Sequence, residues 1–157
     1  MQEETGQNSL HKKNMQLAIK EALKAAELGE VPVGSLITIG SKVISRGHNM
    51  SILSHDSTSH AEINAIRKAT KKIENYRLNN ATLYSTLEPC LMCYGAIIHA
   101  RIARVVFGAF DNKTGACGSC HDLKSSQCLN HEPEIIGGVL EDKCALILKA
   151  FFKAKRS

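Results

Sequence analysis

Residues 81–100 read ATLYSTLEPCLMCYGAIIHA, and the change of pattern inside this stretch decides the fold. Ala81 to Thr86 has the composition of a strand and runs straight into Leu87-Glu88-Pro89-Cys90. From Cys90 onward, CLMCYGAIIHA reads as a short, mostly buried helix. Pro89 suits its first turn, where a missing N–H costs nothing. Strands alternating with helices make a layered α/β sheet, and the flanking sequence continues the alternation. Met15, Ile19, Ala22 and Ala26 follow helical spacing, with Gly29 as the stop. After Pro32, VGSLITI and VISRGHN read as a strand pair turning at Gly40-Ser41. The polar loop MSILSHDSTS leads to a helix from about His60 to Lys72. ARVVFGAF is a fourth strand, PEIIGGVL a fifth, and Glu141 to about Lys155 a closing amphipathic helix.

At 157 residues the chain is expected to form one domain over 14–157, preceded by a polar, flexible tail over 1–13. Its apolar runs are too short for a membrane span. MQEETGQNSLHKKN also lacks the apolar core of a secretory signal. Six cysteines without such a signal point to a reducing, cytoplasmic compartment, where cysteine pairs serve as metal ligands or buried thiols. The net charge of +5 is mild. Its cations gather in RKATKK (67–72) and at Lys149, Lys153, Lys155 and Arg156, as solvated helix faces or as sites for a polyanion.

Two cysteine pairs compete for the chemistry. Cys90 and Cys93 lie three apart at a helix start, where the positive helix end favours thiolates. His60 begins the other helix that follows a loop, so its imidazole can meet the same point. One histidine and two cysteines give zinc three protein ligands and leave a fourth position open, the mark of a catalytic site. There zinc acidifies a water into a usable nucleophile. Glu62, two residues after His60, can reach that water without being a ligand. Singly, each residue has a plainer reading. PCxxC is often two buried thiols, and Ser59-x-x-Glu62 is also a capping box. Together, H-x-E followed by P-C-x-x-C is the signature of zinc nucleobase deaminases.

The chain resembles the bacterial tRNA-specific adenosine deaminases, within the cytidine-deaminase-like superfamily, from about Met15 to Arg156. The matching pieces are GEVPVGSLI, HAEINAI, LYSTLEPCLMCYGAIIHARIARVVFGAFDNKTGA and FFKAKR. The resemblance implies a three-layer α/β fold around a mixed sheet of about five strands, a homodimer, and one zinc per subunit. The implied activity converts adenosine to inosine at the wobble position of a tRNA anticodon, releasing ammonia. His60, Cys90 and Cys93 would hold the metal and Glu62 would carry protons. Asn49 and the backbone around Ala61 match positions lining the base pocket. Asp111 matches an acidic residue near the target sugar, where a 2′-OH can donate to it. Phe151, Phe152, Lys153, Lys155 and Arg156 match a closing helix that touches the anticodon stem-loop. Plainer readings exist here too: Phe151 as core, Asp111 as a turn cap, the basic end as a helix terminus.

Two positions depart from the family pattern. Ser57 stands where many relatives have proline, and Tyr94 replaces a commonly small residue after Cys93. Two alternatives remain. One is a deaminase of a free base or nucleotide, of guanine or cytosine type. The other is a non-catalytic protein with zinc closed by Cys90, Cys93, Cys117 and Cys120. Cys117-Gly-Ser-Cys120-His121 also spells a haem-attachment pattern. The family reading makes Cys117 and Cys120 stand-ins for small apolar residues.

Overall fold

The computed structural model describes residues 2–126 and 129–156. Its elements are α1 (Gln2–Glu27), β1 (Gly34–Ile39), β2 (Lys42–His48), α2 (Ala61–Ile73), β3 (Ala81–Leu87), α3 (Leu91–His99), β4 (Arg104–Ala109), β5 (Glu134–Ile136) and α4 (Glu141–Arg156). The strands form one sheet in the order β2-β1-β3-β4-β5. β1 runs antiparallel to β2 and β3, whereas β3, β4 and β5 are mutually parallel. β2, β3 and β4 therefore point the same way, and their C-terminal ends lie along one edge.

Side-chain alternation along the strands divides the core into two halves. Ile37, Leu83 and Val105 face one side and pack on Ala65, Ile66 and Ala69 of α2 and Ile97 of α3. Their neighbours Leu36, Tyr84 and Val106 face the other side, against Met15 and Ala18 of α1 and Cys144 of α4. The result is the expected three-layer α/β fold, with helices on both faces of a five-stranded mixed sheet. No helix among the described residues is long and apolar enough to cross a membrane.

Two glycines set how close the layers come. A Cβ on Gly34 would lie 1.9 Å from the Ala18 carbonyl oxygen of α1. On Gly47 it would lie 2.5 Å from the Ala61 oxygen and 2.7 Å from the Ala65 nitrogen of α2. The first turn of α2 is thus seated directly on the end of β2.

Several local expectations change. The segment 1–13, read as a flexible tail, is helical from Gln2, because Gln, Glu, Leu and Lys sustain a helix and outweigh Gly6 and the weaker formers Thr5, Asn8 and Ser9. Residues 2–10 are exposed, but His11 is buried, with Nδ1 2.8 Å from the Tyr84 hydroxyl, so packing reaches back past residue 13. Pro89 sits just before the N-cap Cys90 rather than inside the first turn. The Ser59–Glu62 capping box does not form. His60 is the N-cap, and the Ser59 hydroxyl pairs with Asn64 instead.

Gly47→Ala is expected to destabilise the fold by about 1–3 kcal/mol, the usual cost of forcing extra volume into packed layers. Urea denaturation of the variant beside wild type measures this, and an unchanged midpoint would contradict the close packing.

Candidate active site

His60 and Cys90 occupy equivalent places in the chain. Each follows a loop or strand end with extended backbone, and each is the N-cap of its helix, α2 and α3 respectively. Neither side chain caps its own helix, which leaves both free to face elsewhere. They face each other. His60 Nδ1 lies 3.6 Å from Cys90 Sγ and 3.5 Å from Cys93 Sγ. Among the described residues these three form the one His/Cys/Asp/Glu group suited to a metal, with donor atoms all within 4.8 Å.

The spacing can be checked against zinc. Tetrahedral bonds of about 2.3 Å to sulfur and about 2.1 Å to nitrogen place N and S about 3.6 Å apart. The observed separations match, and a two-thiolate, one-imidazole set is a zinc donor set with one position to spare.

The electrostatics of the cluster depend on proton sharing. Cys90 is pushed down to about 4 by a hydrogen bond from Cys93 and by His60, against the opposing effect of burial. Cys93 is pushed up by the same pairing and by its deeper burial. His60 is raised, first by its hydrogen bond with Cys90 and then by the Glu62 carboxylate. Glu62 is buried, and that burial raises it, while hydrogen bonds from its own backbone N–H and from Cys93 oppose the rise. Burial thus favours the protonated form of the Glu62 carboxyl, the form that can donate.

These groups open onto a cavity of about 180 Å³. Its lining includes His60, Ala61, Glu62 and Cys90, together with Asn49 just past β2 and Asp111 just past β4. Val31, Val33 and Leu87 supply apolar surface, and Glu88 and Thr114 complete the lining. The size suits one heterocycle, well below the about 300–1,000 Å³ of sites that enclose drug-sized ligands. The start of α2 brings backbone N–H groups without intrahelical acceptors to this cavity at Ala61. Asn49, Ala61 and Asp111, expected to lie near the substrate, all line this one cavity. Asp111 also caps its turn. Its Oδ1 accepts from the Lys113 and Thr114 amides, and its Oδ2 accepts from the Thr114 hydroxyl at 2.7 Å.

A groove lined by Phe110, Lys113, Leu148 and Phe152 shares Val31, Leu87, Asp111 and Thr114 with the cavity. It continues into a patch of Lys113, Phe152, Lys155 and Arg156. Of the expected closing-helix residues, Phe152, Lys155 and Arg156 line this path. Phe151 is half-buried, with Lys155 Nζ 5.4 Å from its ring centroid. Lys153 is exposed and lines neither groove.

The family model of the cytidine and deoxycytidylate deaminase zinc-binding region matches residues 8–109. A tRNA-specific adenosine deaminase of Haemophilus influenzae is 49% identical over 145 residues, covering 92% of this chain and 84% of the relative. Its counterpart in Bacillus subtilis is 46% identical over 142 residues, covering 90% and 88%. The chain belongs to the tRNA-specific adenosine deaminase family. A solved structure from studies of A-to-I editing by deaminases acting at the wobble position of transfer RNA superposes with a TM-score of 0.85. It is 42% identical and covers 87% of this chain and 99% of its own. A Bacillus subtilis guanine deaminase is 35% identical, with a TM-score of 0.63 over 69% of this chain and 70% of its own. The zinc-binding region and the cluster's geometry agree on one Zn²⁺ per family member chain.

The competing cysteines stand apart from this centre. Cys120 is exposed and Cys117 half-buried, both as free thiols, and neither joins a metal-binding group among the described residues. Burial and the nearby Glu88 and Glu62 carboxylates push the Cys117 thiol up to about 12, making it a poor ligand and nucleophile. Tyr94 does not touch the cavity. It is fully buried beside Ile98 and Ala116, with Cys117, Leu123, Leu129 and Ile135 packed around them. Sequence reading missed Val31, Val33, Leu87, Glu88 and Thr114. The signal for Glu88 was a carboxylate wedged between a buried strand and a proline.

Two outcomes are expected. His60→Ala should lose zinc by elemental analysis, while the double variant Cys117→Ser, Cys120→Ser keeps it; the opposite pattern would move the metal to the second pair. Zinc binding must also expel protons from Cys93 and His60, which hold theirs more tightly than usual. Apparent zinc affinity should therefore fall on acidification from pH 8 to 6 by about tenfold per unit for each proton released. Chelator competition measures this.

Proposed function

We propose that this chain deaminates adenosine to inosine at the wobble position of a tRNA anticodon, adding water and releasing ammonia. The observation that carries this reading is the placement of Glu62. A buried carboxyl lies beside a three-donor zinc cluster without belonging to it, inside a cavity sized for one base. His60, Cys90 and Cys93 would hold the zinc, which would supply an acidified water able to attack at neutral pH.

The remaining work falls to the protein. Glu62 takes one proton as the water adds to C6 and delivers it to the purine ring nitrogen N1, then takes the proton of the new C6 hydroxyl and passes it to the amino group, which leaves as ammonia. Burial supports this role by raising the carboxyl above its ordinary range, towards the proton-donating form. Asn49 Oδ1 accepts from the Ser51 hydroxyl at 3.1 Å, and its amide NH2 is the group that would donate to acceptors on the base. The Ala61 backbone N–H presents a second donor. Val31, Val33 and Leu87 offer apolar surface to the purine faces. Asp111 uses three of about four acceptor positions within its own turn, so one remains for a ribose 2′-OH.

The groove leading from the cavity supports an RNA loop rather than a lone base. Phe110 and Phe152 are exposed aromatics suited to stacking, and Lys113, Lys155 and Arg156 are cations suited to phosphates. Phe151 and Lys153 act in the same helix, Phe151 by supporting Lys155 and Lys153 from the exposed face. The protein works in the cytoplasm as a homodimer, to which the exposed Ile52, Leu53 and Leu91 can contribute apolar contact.

Ammonia release from a tRNA anticodon stem-loop, compared with free guanine, cytosine and cytidine, tests the reading. Turnover of the stem-loop with inosine at the wobble base is expected. Reaction of the free compounds alone would replace it with a free-base deaminase, the activity named for the Bacillus subtilis guanine deaminase. Glu62→Ala should retain zinc and lose about 10²–10⁴-fold in kcat, the usual worth of a general acid–base.

A further inference from the structure

Glu88 is buried just past the C-terminal end of β3, two residues before Cys90, and it is one of the residues lining the cavity. Its bonding shows where it is engaged. Oε1 accepts from the Asp111 amide at 3.2 Å and from the Ser119 hydroxyl. Oε2 accepts from the Cys117 amide at 2.9 Å and the Ser119 amide at 3.2 Å. A carboxylate has about four acceptor positions, and four donors fill them. No lone pair is left for a substrate.

All four donors belong to residues 111–119, which also carry Asp111 and Thr114 of the cavity lining. The same segment is tied to the β3–α3 junction by backbone contacts. The Ala116 amide donates to the Pro89 carbonyl at 2.8 Å, and Cys90 forms a bridge with Gly115. Gly115 is required at this approach, since a Cβ there would lie 2.5 Å from the Glu88 carboxyl and 2.5 Å from the Asp111 carbonyl oxygen. The loop therefore winds around one buried carboxyl group.

We propose that Glu88 is a positioning residue for substrate binding. It gathers the 111–119 loop so that Asp111 and Thr114 stand at the cavity in register with the metal site that begins two residues later. In deepening the tRNA reading above, it assigns to Glu88 the placement of the sugar-contacting wall and no part in proton transfer. A shortened or neutral side chain leaves loop amides buried without acceptors, and the loop moves to find water.

Glu88→Gln tests this, because the amide keeps the shape but turns an NH2 towards amide donors. Three readouts are compared with wild type: zinc content, steady-state kinetics on an anticodon stem-loop, and hydrogen exchange of the Asp111, Cys117 and Ser119 amides. Zinc is expected at one per chain, KM raised at least tenfold, kcat within threefold, and exchange at the three amides at least tenfold faster. Ser119→Ala removes a single donor and should show a smaller KM rise with kcat unchanged, which keeps the test open if Glu88→Gln fails to fold. Unchanged exchange and KM would overturn the proposal, and so would a collapse of kcat at constant KM. Failure of the tRNA reading would be separately visible, as wild type inert on the stem-loop. The exchange readout, taken without substrate, would still decide whether Glu88 holds the loop.

Discussion

The structure depends on bringing two helix starts, 30 residues apart in the chain, to within hydrogen-bonding distance of each other. His60 Nδ1 and the two sulfurs of Cys90 and Cys93 must meet at about 3.5 Å, and no local rule can arrange that. The sheet arranges it. Because β2, β3 and β4 are parallel, the segments that leave them emerge on the same edge, where open α/β sheets bind their ligands. α2 follows β2 after a loop and α3 follows β3 almost at once, so both N-termini arrive there. Gly47 then fixes the distance, by letting the first turn of α2 rest on the strand backbone.

Buried carboxylates organise the loops at that edge. Glu88 gathers the segment after β4. Glu30, itself fully buried, accepts from the Ile52 and Leu53 amides and so anchors the loop between β2 and α2. Both loops carry or flank cavity residues, and neither is held by a helix or by a strand of the sheet. A buried carboxyl group accepting from several amides is a strong substitute, since leaving those hydrogen bonds unmade is costly. Glu62 is the exception among these buried acids. Its surroundings are the metal donors rather than a rank of amides, which suits a group that must exchange its proton.

Much of this was legible beforehand. The alternation of strands and helices, the strand-to-helix junction at Leu87–Cys90 and the H-x-E with P-C-x-x-C pairing are local patterns, and each formed where expected. Local reading failed where two signals of equal strength competed. Ser59 and Glu62 spelled a capping box, but Ser59 turned to Asn64 because His60 took the cap position. Cys117 and Cys120 spelled a metal or haem pair, but their loop winds around Glu88 and keeps them apart from any histidine cluster among the described residues. The polar start of the chain read as a tail, yet His11 reaches Tyr84 across the layer interface, a partner 73 residues away that no window of sequence displays.

The sequence by itself determined the element order, the donor types of the metal site and the kind of chemistry they support, because periodicity and ligand softness are properties of residues and short spacings. Tertiary structure decided which cysteine pair meets the histidine, which apolar residues line the base cavity, and which cations share a groove with it. Those outcomes depend on parallel strand order and on loops folded around buried carboxyl groups. Such contacts join residues far apart in the chain, and only packing the whole sheet selects among them.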